Sequence, residues 1–188
     1  RKMRIGQLHG GVVATGSLIR FNRDLQLYNL PLKFRDMNEV DHVRKQMDQQ
    51  LAQTLEEEGI VSFHLIETGF AYLMSREPVQ SVAELRNLKT WVPEKDEMSA
   101  RILQAFDVSP IPLHLIDVLT GLQTGTIDAV VAPPIVALAL QWHNQLKYIT
   151  DVPLMYIYST LMLDKKTFSR LSDEDQAVVR EVMNRVFK

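Results

Sequence analysis

The sequence predicts an α/β fold, and the segment at residues 121–134 carries that prediction. It reads as a helix end, a glycine turn, a short strand and a Pro-Pro stop. The apolar run Ala129–Ala132 is too short for a helix and is typical of a strand covered on both faces. Gly125 suits the left-handed position that ends a helix, and the two prolines that follow the strand cannot donate to a sheet ladder. Because ligands of open α/β sheets bind beyond the carboxyl ends of strands, we expect a ligand near Ala132 and Pro133.

A shorter copy of the same pattern lies near the start of the chain. Residues 3–14 again read as a helix end, a glycine turn and a strand, so that Gly6 matches Gly125 and Val12 matches Val131. Two copies this far apart are expected if the chain forms two α/β lobes that are built alike. Two unrelated helix-to-strand turns explain the pattern equally well, and the residues alone leave both interpretations open.

The composition is that of an ordinary globular protein and excludes several classes of function. Of the 188 residues, 46% are hydrophobic and 23% are charged, and the net charge is −2. This length allows one domain or two small lobes. The chain has no basic run that indicates nucleic acid and no stretch near the ~20 apolar residues of a membrane span. It also lacks cysteine, which excludes disulfides, thiol catalysis and Cys-ligated zinc.

The first half of the chain predicts a strand, a long amphipathic helix and a second, interrupted strand. The break at residues 67–70 is interpreted as a crossing between lobes. The predicted elements, in order, are a strand at residues 12–14, an extended apolar segment at 25–32, a helix capped by Asn38 and ended by Gly59, and strands at 60–66 and 71–74.

The second half predicts alternating short helices and strands. Ser81 and Glu84 form a capping box, and Ser172 caps a last helix. The residues of this helix that are expected to face inward are Val178, Val179, Val182, Met183 and Val186. The other predicted elements are a strand at 88–92, a helix at 96–106, an extended connector at 107–113, a helix at 114–124, a helix from Pro134 that carries Trp142, and strands at 147–150 and 154–163.

The search for catalytic chemistry gives no candidate site. The chain has no P-loop, no G-x-S-x-G elbow and no H-E-x-x-H motif, and its five histidines lack metal-ligand spacing. Asp128 and Glu67 could act as an acid/base pair if the fold brought them together, but such residues are more often a turn cap and a surface carboxylate. We therefore expect a protein that is not an enzyme and that holds no metal and no cofactor.

Four ordered motifs point to one known family. They are LYNLPLKFRD at residues 27–36, LRNLKTWVP at 85–93, LQTGTID at 122–128, and a segment at 164–176 that contains DKK and LSDEDQ. In order and spacing they resemble motifs of the periplasmic solute-binding proteins of TRAP (tripartite ATP-independent periplasmic) transporters, of the dicarboxylate-binding type. Members of this family are longer than this chain at both ends.

The resemblance implies a two-lobed periplasmic-binding-protein fold with crossing strands and a ligand cleft between the lobes. Lobe one would comprise residues 1–66 and 156–188, and lobe two residues 67–155. The resemblance also implies a periplasmic location, with the export signal missing from this chain, and handover of a small ligand to membrane permease subunits after the lobes close on it.

Three positions depart from the family pattern. The family has an arginine before the Val-Pro pair, where this chain has Trp91, and a second arginine after the Gly-Phe pair, where it has Ala71. An asparagine that precedes a proline is replaced by Ala132. Bidentate arginine is the strong way to hold a carboxylate, and leaving a buried carboxylate unpaired costs ~3–5 kcal/mol. We therefore expect a simple dicarboxylate to bind poorly.

These departures favour a cleft retuned for an apolar, lipid-like or neutral ligand, since binding sites are mostly apolar with few polar groups. Beside Ala71, Ala132 and Pro133, the expected walls are Phe70, Tyr72, Trp91 and Tyr156, and the expected polar contacts are Thr15, Glu67 and Gln123.

Other interpretations stay open at this stage. Trp91 could simply pack within its lobe. Arg35, Arg76 or Arg101 could reach the site and keep an organic acid as the ligand. The chain could also be an interaction or sensor module in which the ligand role is lost or altered.

Overall fold

The computed structural model describes Met3 and residues 5–187, apart from the side chain of His64. The chain forms two compact units, of which unit one contains Arg1–Thr68 and Tyr156–Lys188 and unit two contains Gly69–Met155. Glu67 and Thr68, which the sequence analysis assigned to lobe two, thus belong to unit one.

Unit one combines antiparallel strands with two long helices. Its elements are β1 (Gly10–Ala14), α1 (Met37–Glu57), the first part of β2 (Ile60–Ser75), the last part of β6 (Tyr148–Asp164), α6 (Lys165–Phe168) and α7 (Asp173–Val186). Short 3-10 helices at Thr15–Leu18 and Arg23–Asn29 connect β1 to α1.

Strand β6 is the central strand of unit one. It pairs antiparallel with β1, from Gly10 opposite Leu163 to Ala14 opposite Ser159, and β2 follows on its other side. Gly10 is required at this pairing because a Cβ atom there would lie 2.5 Å from the Met162 carbonyl oxygen.

The helices of unit one cover the sheet with apolar faces. Helix α1 begins after Asp36, whose side chain accepts hydrogen bonds from the backbone N–H groups of Asn38 and Glu39. It buries Val40, Leu51 and Leu55. A second cluster joins Val61 and Phe63 of β2 to Phe168, with Val179, Met183 and Phe187 packed against it.

Unit two contains β-strands and several short helices. Its elements are α2 (Val82–Leu85), β3 (Thr90–Pro93), α3 (Glu97–Ala105), β4 (Pro110–Leu113), a 3-10 helix (Leu115–Asp117), α4 (Val118–Thr124), β5 (Ala129–Ala132), α5 (Pro134–Ala139) and a 3-10 helix (Trp142–Asn144). The strand order is β2-β5-β3-β4. β5 pairs antiparallel with β2, and β3 pairs parallel with both β5 and β4.

Unit two has a small apolar cluster of Val92, Leu103 and Val108 and a larger one. The largest members of the larger cluster are Trp91 and Trp142, and α4 contributes Val118 and Leu122, which are fully buried. Other buried members of the larger cluster are Met74, Ile127, Val130, Ala132, Ala137 and Leu146.

The structure confirms the local signals of the sequence. β5 spans Ala129–Ala132, α5 begins at Pro134, and Ser81 forms the predicted capping box. Gly125 ends α4 with φ +71°, and Gly6 has the same φ of +71°. The helix that was predicted to end before Gly6 falls largely on Arg1, Lys2 and Arg4, which lie outside the described residues.

Predictions of where strands break were wrong. Residues 60–66 and 71–74 belong to one continuous strand, β2, which passes through Gly69 at φ +103°. Residues 148–150 and 154–163 likewise fall on one strand, β6, which Lys147 precedes. The connector at 107–113 contains β4, which lies last in the strand order, where prolines are tolerated.

Several helix predictions also need correction. The cap of α1 is Asp36 rather than Asn38, and the segment predicted as extended at 25–32 forms mostly a 3-10 helix. Trp142 lies beyond α5, in a separate 3-10 turn. The apolar residues of α7 divide between two faces: Val179 and Met183 pack inward, whereas Val178, Val182 and Val186 are exposed.

Candidate functional site

Arg44 of α1 is the centre of a polar network inside unit one. Its side chain is only 22% exposed, its Nε donates to Asp48 at 3.0 Å, and Nη2 donates to the Leu65 carbonyl at 3.1 Å. Nη1 forms an ion pair with Glu67, and the guanidinium lies 5.0 Å from the centre of the Tyr158 ring. Every edge of this arginine is therefore occupied by a protein group.

Three buried tyrosines extend this network. The Tyr28 hydroxyl donates to the Asp48 carboxylate, and the Tyr158 ring lies 4.7 Å from the rings of both Tyr28 and Tyr156. Asn29 donates through Nδ2 to the Tyr156 carbonyl at 3.4 Å. We call Tyr28, Arg44, Asp48, Glu67, Tyr156 and Tyr158 the arginine–tyrosine network.

The surroundings keep all three phenols protonated. Burial is the main cause that raises the pKa of Tyr156 to about 12, and the nearby Glu67 charge adds to it. Burial likewise raises the pKa of Tyr28 and Tyr158, and the Asp48 charge acts in the same direction. At neutral pH these groups are therefore hydrogen-bonding groups rather than nucleophiles or bases.

Three predicted site residues meet in this network. Thr15 is fully buried and donates through Oγ1 to the Tyr158 carbonyl at 3.3 Å. Tyr156 packs on the Tyr158 ring. Glu67 pairs with Arg44, whose guanidinium lies over the same ring.

The sequence analysis missed Arg44, Asp48 and Tyr158. It described this helix only as long and amphipathic and named none of its charged residues as site residues. A signal was available, however, because Arg44 and Asp48 follow Val40 at four-residue intervals and so continue its buried row.

Trp91 lies in the core of unit two. Its indole N–H donates to the Leu113 carbonyl at 3.0 Å, and its ring packs edge-on against Trp142 with centroids 5.4 Å apart. Only 5% of the residue is exposed. The structure thus shows the packing that the alternative interpretation of Trp91 described.

The remaining predicted residues of unit two lie mostly around the β2–β5 pairing. Tyr72 stands opposite Ala132 in the ladder, and Ala132 belongs to the same core cluster as Trp91. Ala71 and Pro133 are buried, Phe70 is half-buried, and Gln123 is exposed on α4. A ligand-binding role for the ten site residues named in the sequence analysis stays a prediction.

The two carboxylates considered for acid/base chemistry each have a cationic partner within their own unit. Glu67 pairs with Arg44, and Asp128 lies 3.6 Å from the Lys89 ammonium. Among the described residues, no group of three His, Asp or Glu side chains is placed to hold a metal ion. Nor does the described part of the chain contain a helix long and apolar enough to cross a bilayer.

Arg35, Arg76 and Arg101, which were considered as substitutes for the missing ligand-binding arginines of the family, differ in their surroundings. Arg35 and Arg101 are 86% and 80% exposed and pair with Glu39 and Glu97 on neighbouring turns. Arg76 is half-buried in unit two.

Comparison with known proteins identifies the family. A family model described as bacterial extracellular solute-binding protein, family 7, matches residues 1–188. The chain belongs to this family. The TRAP-type resemblance is thereby confirmed, and because the family consists of solute-binding proteins, so is the expectation that the chain is not an enzyme.

Two curated relatives carry names that describe binding. The 2,3-diketo-L-gulonate-binding periplasmic protein of Escherichia coli is 29% identical over 157 residues, which cover 81% of this chain and 47% of that protein. The C4-dicarboxylate-binding periplasmic protein of Shewanella loihica is 27% identical over 110 residues, which cover 58% and 32%. The chain thus spans half or less of the length of these relatives. The family description and the two periplasmic relatives confirm the predicted location outside the cytoplasm.

Solved structures confirm the fold class. A TRAP periplasmic solute-binding protein from Xanthobacter autotrophicus with bound β-D-galacturonate matches with a TM-score of 0.91 at 18% identity, over 99% of this chain and 62% of that one. One from Haemophilus influenzae with bound L-gulonate matches with a TM-score of 0.86 at 20% identity, over 97% and 60%. At these identities the likeness shows the two-lobed fold alone.

Proposed function

We propose that this chain is part of a periplasmic solute-binding protein that captures a small organic acid and delivers it to a membrane permease. The observation that carries this proposal is the family match, which extends from residue 1 to residue 188. The relatives add the ligand class, because the bound or named ligands of three of them are sugar acids, galacturonate, gulonate and diketogulonate.

The position of Trp91 weakens the case for an apolar ligand. That case used the Trp91 indole as a wall of the site, but the indole is 5% exposed and packs on Trp142. Packing inside unit two therefore explains the replacement of arginine by Trp91 without an apolar ligand. An apolar or neutral ligand remains the second candidate, favoured by Ala71 and Ala132 at positions where the family has polar side chains.

Titration calorimetry with matched ligands tests the proposal. The probes are D-galacturonate, L-gulonate and succinate as acids, D-galactose as the neutral analogue of galacturonate, and palmitate as the apolar probe. We expect at least one acid to bind roughly tenfold or more tightly than D-galactose, a difference of about 1.4 kcal/mol.

Two outcomes would contradict this proposal. Binding of D-galactose at least as tight as that of every acid, or saturable binding of palmitate alone, would favour the neutral or apolar ligand. A protein that binds none of the probes would favour the interaction or sensor module.

A further inference from the structure

Glu67 is the most exposed charged member of the arginine–tyrosine network. Its side chain is 45% exposed, against 22% for Arg44 and 26% for Asp48, and the three tyrosines are buried. Arg44 Nη1 holds the Glu67 carboxylate in place from the protein side. Because a carboxylate accepts up to about four hydrogen bonds, Glu67 keeps acceptor capacity on its exposed side. A molecule in solution can therefore reach this acceptor.

Glu67 also lies beside the carboxyl end of β1. Ala14, the last residue of this strand, pairs with Ser159 of β6. The Ser159 hydroxyl in turn lies 3.2 Å from the hydroxyl of Thr68, the residue that follows Glu67. Because ligands of open α/β sheets bind beyond the carboxyl ends of strands, the exposed carboxylate is placed where a ligand of unit one is expected.

The charges around Glu67 disfavour a second ligand carboxylate. Arg44 pairs with three carboxylates, those of Asp48 at 3.0 Å, Glu67, and Asp41 at 4.0 Å. Among the described residues, no other cation pairs with these three groups. A ligand carboxylate at this position would therefore approach an excess of negative charge.

A hydroxyl group matches this position without changing its charge. It needs only a lone pair of the Glu67 carboxylate, and a hydrogen bond to a charged acceptor is stronger than one between neutral groups. A ligand ammonium could also donate to Glu67, but it would stand beside the Arg44 guanidinium that already pairs with this carboxylate.

We propose that Glu67 binds hydroxyl groups of the ligand and thereby selects hydroxylated acids over plain carboxylic and dicarboxylic acids. This inference rests on the proposed function, because it concerns the end of the organic acid that is remote from its carboxylate. Arg44 is a positioning residue for Glu67, since its own hydrogen-bonding edges are occupied by Asp48, the Leu65 carbonyl and Glu67.

Four six-carbon acids separate the effect of hydroxyls from those of charge and length. They are L-gulonate, hexanoate, adipate and 6-aminohexanoate, which differ in the groups that they carry beyond the first carboxylate. In titration calorimetry with the 188-residue chain, we expect L-gulonate to bind roughly tenfold or more tightly than each of the other three. Equal or tighter binding of any of the three would overturn the inference.

Variants assign the preference to Glu67. Glu67→Ala should weaken L-gulonate binding roughly tenfold and leave hexanoate binding unchanged, whereas adipate should gain affinity because a like charge is removed. Glu67→Gln keeps one acceptor oxygen and should lose less. Glu56→Ala is the matched control, because Glu56 is 39% exposed and pairs with Arg180 in the same unit, and it should leave every affinity unchanged.

A purely structural role of Glu67 gives a different result. L-gulonate and hexanoate would then weaken in parallel in Glu67→Ala, and a constant ratio of their affinities would overturn the inference. Tight binding of hexanoate or adipate by the wild type would contradict the hydroxyl preference but leave the proposed organic-acid function intact. If no acid binds, the proposed function fails and this inference fails with it.

Discussion

The interiors of the two units bury their large aromatic residues in opposite ways. In unit one, Tyr28, Tyr156 and Tyr158 surround the charged side chains of Arg44 and Asp48. In unit two, Trp91 and Trp142 pack edge-on within a cluster of wholly apolar side chains. Unit one therefore depends on the balance of charges and hydrogen bonds, whereas unit two depends on the shape of its packed side chains.

This difference sets what each unit tolerates. A polar network in a low-dielectric interior is favourable when all its members are satisfied and costly when one partner is removed. An apolar cluster loses dispersion contacts and leaves a cavity when a large side chain is shortened. Substitutions at the centre of each unit, and a change of pH, separate the two cases.

Of the single substitutions, Trp142→Ala in unit two should destabilise the chain most. Trp142 is 1% exposed and packs on Trp91, so the substitution leaves a cavity and should lower the free energy of unfolding by about 3–5 kcal/mol. Leu138→Ala is the matched control, because Leu138 is 55% exposed in the same unit and its loss should cost within about 0.5 kcal/mol. Denaturant unfolding followed by circular dichroism measures both. A loss below about 1 kcal/mol for Trp142→Ala would mean that the cluster does not depend on this ring.

Arg44→Met in unit one should have a smaller effect, about 2 kcal/mol. The side chain keeps 22% exposure, so water offsets part of the lost contacts, but Asp48 and Glu67 are left without their shared cation. Arg35→Met is the control, since Arg35 is 86% exposed in a pair with Glu39 and should contribute about 0–0.5 kcal/mol. Adding Asp48→Asn to Arg44→Met should recover part of the loss in a double-mutant cycle. If the two effects simply add, Arg44 and Asp48 are not coupled.

The sequence predicts the fold where the determining signal is local. The strand Ala129–Ala132, the Gly125 turn and the Ser81 capping box are each specified by a few adjacent residues, and all are present. The continuity of β2 and β6 is not local. Each strand passes Gly69 or Pro153 and is held by partner strands that are far away in sequence, so the apparent breaks were misleading.

The interior of each unit was less predictable for the same reason. Trp91 finds its partner Trp142 only through the fold, and a family position gives no information on where a replacement side chain packs. In unit one, Arg44 and Asp48 continue the buried row of Val40. Charged side chains on a helix are normally expected to be exposed to solvent, so their burial was not predicted. Tyr158 completes the network from the other end of the chain, a contact that no helical spacing indicates.

A rise in pH separates the two units without any substitution. The pKa of Tyr156 is raised to about 12 in the folded chain, against about 10 for an unperturbed tyrosine, and burial also raises the pKa of Tyr28 and Tyr158. The unfolded chain therefore loses these protons first. The stabilising contribution is complete below about pH 10 and falls as the pH rises towards 12, by about 1.4 kcal/mol per pH unit for each of the three tyrosines.

Two spectroscopic signals, tryptophan fluorescence and tyrosinate absorbance, show whether the loss of stability at high pH arises in unit one. Both tryptophans of the chain lie in unit two, so their fluorescence reports on that unit, whereas three of the five tyrosines lie in unit one. Denaturant unfolding at pH 9, 10 and 11 should show the free energy falling above about pH 10, with tyrosinate absorbance rising as the network opens. In Tyr156→Phe the decline should be shallower by about 1.4 kcal/mol per pH unit, because one of the three raised pKa values is gone. If Tyr156→Phe and the wild type decline in parallel, Tyr156 is not shielded in the folded chain, and the contrast between a charge-dependent unit one and a packing-dependent unit two would rest on Arg44 alone.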